Sequence, residues 1–139
     1  MNKNFTKKSI SHEAALEMIK AAFAKAQELE ISISVCIVDE SGISKVFARM
    51  DMAPLISIDV ARQKAITAVG WGIPTGQSWH NFIKDDPILF EGVKAIKDFT
   101  LLGGGLPIFS NSNLIGAIGV SGGHYAQDIE CAEAALNSL

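Results

Sequence analysis

The chain has little of what marks a disulfide-stapled, membrane-embedded or nucleic-acid-binding protein. Of its 139 residues only two are cysteine, Cys36 and Cys131. They stand far apart in apolar segments and match no metal-ligand spacing, so both are expected as reduced packing residues in a cytoplasmic protein. There is no run of Lys or Arg, and the formal net charge is −3, which argues against a general nucleic-acid binder. No apolar run reaches the length of a membrane span, so no membrane partner is expected. The first residues, Met1 to Lys8, lack the apolar core of a signal peptide. The three histidines, His12, His80 and His124, are too scattered for a sequence-readable zinc site.

Several catalytic signatures are missing as well. No GK[ST], HExxH or CxxC occurs. The run Gly103-Gly104-Gly105 leads into Pro107 and a strand rather than a helix, which argues against a dinucleotide loop. Gly119-Val120-Ser121-Gly122-Gly123 meets the G-x-S-x-G pattern only formally. Too few residues follow Ser121 to supply an independent acid and histidine.

What the chain does have is glycine in one place: seven of its twelve glycines lie between Gly103 and Gly123. Ser110-Asn111-Ser112-Asn113 is turn chemistry between two apolar runs, so a hairpin is expected. In its second strand Gly116 and Gly119 remove side chains from opposite faces. A helix, another subunit or a flat ligand must pack close to each face.

The rest reads as one domain, residues 1–139, with an apolar fraction of 48%. Ser11 is a good N-cap for a first helix, with Ala15, Leu16, Ile19, Ala22, Phe23, Ala26 and Leu29 as its apolar stripe. His12 shares that stripe, either packed at the rim of the core or aimed into a pocket. Ile33 to Asp39 is apolar on both faces, as a central strand is, and Ile43 to Met50 returns as its antiparallel partner. Arg49 and Asp51 close that strand as a surface ion pair or as the edge of a site.

A second helix from Ser57 has a face of small residues around Ala61, Ala65 and Ala68, with Lys64 expected on its polar, solvated side. The segment from Gly70 to Gly76 ends it, and Thr75 or Ser78 is placed to cap a short helix holding Trp79, His80 and Phe82. These aromatics either cover an edge of the core or line a cleft. Asp85-Asp86-Pro87 reads as a turn, with a further short helix near Glu91 to Lys97. A last amphipathic helix carries Asp128, Ile129, Ala132 and Ala135. The order predicts an α+β fold: a single antiparallel sheet of about five strands flanked by helices.

These pieces resemble the GlcG/HbpS-like proteins, which include the haem-binding C-terminal domain of PduO-type proteins. The matching stretches are the first helix from Ser11, Val35 to Gly42, Phe47 to Asp51 with Ala53-Pro54, Ser57 to Ala68, Gly103 to Ile108, and Ile115 to Gly122. The resemblance runs over nearly the whole chain and implies profilin-like layers and a homo-oligomer. It implies binding of a small-molecule ligand, with haem or another tetrapyrrole foremost. In the PduO-like branch a histidine near the start of the first helix ligates haem, and His12 stands at a comparable place. The expected site is therefore His12 as the metal ligand, with Arg49, Lys64, Gly104 and Gly105 around the cofactor. Two other roles stay open on the same pocket: an enzyme of a catabolic pathway, and a ligand-free structural or regulatory oligomer.

Overall fold

A computed structural model describes residues 1–139. Its architecture follows from the two apolar faces of the central strand. Strand β1 (Ser34–Asp39) pairs with β2 (Ser44–Arg49) on one side and with β4 (Asn113–Ser121) on the other. β3 (Gly105–Ser110) pairs with β4, giving an all-antiparallel sheet of order β2-β1-β4-β3.

Successive side chains of a strand point to opposite faces, so the sheet needs cover on both. Val35, Ile37, Ile118 and Val120 pack with Ala15, Met18 and Ala22 of α1 (His12–Glu28) and with Cys131, Ala132 and Ala135 of α5 (Tyr125–Leu136). Cys36, Val38 and Ala117 pack with Ala61, Ala65 and Ala68 of α2 (Ile56–Trp71). This is the expected α+β layering, with four strands where about five were expected. The segment before α1 adds one backbone bond to the sheet, from the Ile10 amide to the Ile115 carbonyl at 3.0 Å, and forms no strand.

Local chemistry sets the element ends. The Ser11 hydroxyl accepts from the Ala14 amide and caps α1, as its sequence position predicts. Gly72, at φ 67°, stops α2. The hairpin between β3 and β4 turns through Asn111 and Ser112 at φ 48° and 65°, the left-handed pair that a two-residue hairpin requires. Both cysteines are buried and free.

The connection from α2 to β3 departs from expectation. Helix α3 (Gln77–Ile83) has no side-chain cap, because the Thr75 hydroxyl instead accepts from the Gly105 amide at 2.8 Å. The Asp86 carboxylate accepts from the Ile88 and Leu89 amides and starts α4 (Pro87–Gly92) directly, with a 3-10 turn at Val93–Ala95 behind it. Helical structure thus begins and ends earlier than Glu91 to Lys97. Trp79 is fully buried with Ile83 and Val93, edge-on to Trp71 at 5.4 Å and to Phe99 at 5.1 Å. It fills a small core of its own against the end of α2 and lines none of the cavities.

Candidate functional site

The glycine stretch is where three elements meet β4. A side-chain carbon at Gly119 would collide with the Ala61 carbonyl, and one at Gly105 with the Lys64 carbonyl. The missing side chains let α2 lie directly on β3 and β4. Gly116 makes the same allowance on the opposite face, where the Val38 carbonyl and Ile10 approach. The close neighbours expected for Gly116 and Gly119 are therefore parts of this chain.

Lys64 is not on the solvated side of α2. Ser57, Ala61, Lys64 and Ala68 recur at spacings of four, three and four, so the lysine points into the sheet with the small residues. Its Nζ donates to the Asp128 carboxylate at 2.9 Å and to the Val120 carbonyl at 2.8 Å. The other carboxylate oxygen of Asp128 accepts from the Gly123 amide at 2.9 Å. Both side chains of the pair are 2% exposed. Burial pulls the Lys64 ammonium below its usual pKa and pushes the Asp128 carboxyl above its own, each against the pull of its partner. Gly104, at φ 122°, has no side chain because Lys64 Nζ, Asp128 and the Val120 carbonyl surround that position. Sequence reasoning put Asp128 merely in the first turns of α5; its partner is 64 residues away.

Next to this cluster lies a cavity of about 170 Å³. Helix α3 contributes Gln77 and His80 to it, the loop before β3 contributes Leu101, Leu102 and Gly103, and α5 contributes Tyr125. Lys64, Gly104 and Gly105 stand behind its wall rather than in it.

His12 lies elsewhere. It is the first residue of α1 and exposed, and its imidazole makes no hydrogen bond within the chain. The sequence reading placed it on the buried stripe. That stripe is formed by Ala15, Met18, Ile19, Ala22 and Ala26, and it leaves His12 and Leu16 on its flank. Leu16, one turn on, is 46% exposed. Arg49 ends the edge strand β2 exposed, and no ion pair joins it to Asp51. The arginine that does pair is Arg62, whose guanidinium holds Asp98 through two hydrogen bonds of 2.7 and 3.3 Å. This pairing keeps the Asp98 carboxyl below the usual carboxylate range.

The sequence and the fold of this chain recur in known proteins. A family model described as haem degrading protein HbpS-like matches residues 10–137. The chain belongs to the HbpS-like family. The uncharacterized 15.0 kDa protein of the dhaT-dhaS intergenic region of Citrobacter freundii is 34% identical over 137 residues, covering 99% of this chain and 96% of that one. A double mutant of HbpS from Streptomyces reticuli superposes with a TM-score of 0.90 at 30% identity, covering all of this chain and 92% of its own. The haem complex of PduOC superposes with a TM-score of 0.88, also at 30% identity, covering 94% of this chain and 95% of its own. These HbpS-like relatives share the whole domain, so the likeness is not confined to one motif. No helix of the chain is long and apolar enough to cross a membrane, and no group of three potential metal-ligating side chains occurs.

Proposed function

We propose that this chain binds haem, with the His12 imidazole as the axial ligand. The observation that carries the reading is the state of that side chain: exposed, without a protein partner, and beside the exposed apolar surface of Leu16. An iron porphyrin needs one such nitrogen and an apolar surface for its ring. The haem complex of a relative with the same fold supports the reading. Bound haem would supply a redox-active, ligand-binding iron; the chain's part is to hold it.

The donor chemistry fits, but a single chain does not enclose a macrocycle. None of its cavities exceeds about 340 Å³, and none is lined by His12. A ring on His12 alone would leave a face in water, and we infer that a second copy of the chain covers it. The homo-oligomer is thus part of the same proposal. Arg49 stands at the opposite end of the sheet from His12, paired with Ser34 while Ile10 bonds to Ile115 near the Asp39 end, so it reaches a propionate only from a second copy. Lys64, Gly104 and Gly105 take no direct part at the His12 surface; they hold α2 and α5 on the sheet. The catabolic-enzyme reading has less support, because no hydrogen bond or ion pair joins His12, Lys64 and Arg49.

Hemin titration of the purified protein, followed by the Soret band and by sedimentation, tests this. A saturable Soret shift with one hemin per chain or per pair of chains is expected, weakened at least tenfold in His12→Ala. An unchanged Soret response in His12→Ala would contradict the ligand assignment, and no response in wild type would contradict haem binding altogether.

A further inference from the structure

We propose that the cavity beside Gly103 is a second small-molecule site, separate from the haem surface at His12, and that it takes a small carboxylate anion. The argument begins with the backbone. The Leu102 amide donates to the Thr100 hydroxyl at 3.2 Å, and the Gly105 amide to the Thr75 hydroxyl at 2.8 Å. Between them the Gly103 and Gly104 amides have no acceptor anywhere in the chain, although both residues are buried. Buried N–H groups are almost always paired, so two consecutive unpaired ones need a partner from outside.

The side chains around the cavity point to the same kind of partner. The His80 imidazole and the Tyr125 hydroxyl make no hydrogen bond within the chain, and both line the cavity. No lining residue is Asp or Glu, and the Asp128 carboxylate in the neighbouring cluster is paired with Lys64. The backbone at Gly103 packs closely on α5: a side-chain carbon there would sit 2.7 Å from Ile129 Cδ1.

Size and lining narrow the ligand. The volume of about 170 Å³ is well below the roughly 300–1,000 Å³ of sites for drug-sized ligands. It is too small for a macrocycle and suits an acid of a few carbons. Leu101, Leu102 and the Tyr125 ring supply apolar wall for its carbon skeleton, while the Gly103 amide, His80 and Tyr125 are the donors the wall offers to its carboxylate.

The test is an amide-resolved NMR titration of the full chain with acetate, pyruvate and inorganic phosphate in turn. Saturable shifts of the Gly103 and Gly104 amides with a carboxylate are expected. Removing one donor to a charged ligand, in His80→Ala or Tyr125→Phe, should weaken that binding about tenfold. Hemin titration of both variants should match wild type, and their spectra should keep wild-type dispersion. Glycine amides that do not move with either carboxylate, or that move only with phosphate, would overturn the proposal. So would loss of hemin binding in His80→Ala, which would make the cavity part of the haem site.

Discussion

Lys64 Nζ and Asp128 Oδ2 lie 2.9 Å apart with both side chains 2% exposed, tying α2 to α5 through the end of β4. Two charges removed from water at this depth gain little over an apolar pair, but either one left alone is strongly unfavourable. Lys64→Met and Asp128→Leu are therefore each expected to lose about 3–5 kcal/mol of stability. The double variant should lose markedly less than either, as read from urea unfolding. Additive losses would show that the pair is not a coupled unit.

The Arg62–Asp98 pair makes a different prediction, because it lowers a carboxyl pKa at the surface. A carboxyl depressed in the folded state stabilises above its unfolded value, near 3.8, and that stabilisation is lost as pH falls through the lower folded value. Arg62→Gln should thus be less stable than wild type at pH 7, and the two curves should converge as pH falls below 3.8. The guanidinium is 42% exposed, so solvent and salt keep the difference small. A gap that widens in acid would contradict the assignment.

Both thiols should be inert in the native state. Cys131 is fully buried, and its thiol is pushed up to about 11, first by burial and then by the nearby Asp128 and Glu130 carboxylates. Cys36 is raised by burial as well. Iodoacetamide at pH 8 should label neither in the folded protein and both in guanidinium chloride. Rapid labelling of Cys131 in the native protein would mean that α5 opens readily from the sheet.

Gly119→Ala tests the contact of α2 with β4. The added carbon would collide with the Ala61 carbonyl, which belongs to backbone and cannot swing aside. The expected loss is at least the upper end of the roughly 1–3 kcal/mol typical of overpacking. A thermal melt within a degree or so of wild type would show that the helix can lift without cost.

Much of the fold was legible because it is written in local periods. The β-branched run from Ile33 to Asp39 announced a strand covered on both faces, and the glycines at 116 and 119 announced close packing against it. The site was less legible. Lys64 was read as a surface cation by its charge, although its spacing with Ser57, Ala61 and Ala68 placed it on the buried face. Its partner could not be read at all, since nothing local links positions 64 and 128. His12 was read onto the apolar stripe because Leu16 was counted as core. The true stripe runs through Met18, which shifts the buried face away from His12. The cavity at Gly103 was invisible for a similar reason. It is assembled from α3, the glycine loop and α5, whose meeting is a matter of topology.

The most direct test of the central claim is chemical rescue of the proposed axial ligand. His12→Gly loaded with hemin should lack the histidine-ligated spectrum of wild type, and added imidazole should restore it. A His12→Gly protein whose haem spectrum equals that of wild type, before any imidazole is added, would contradict the account.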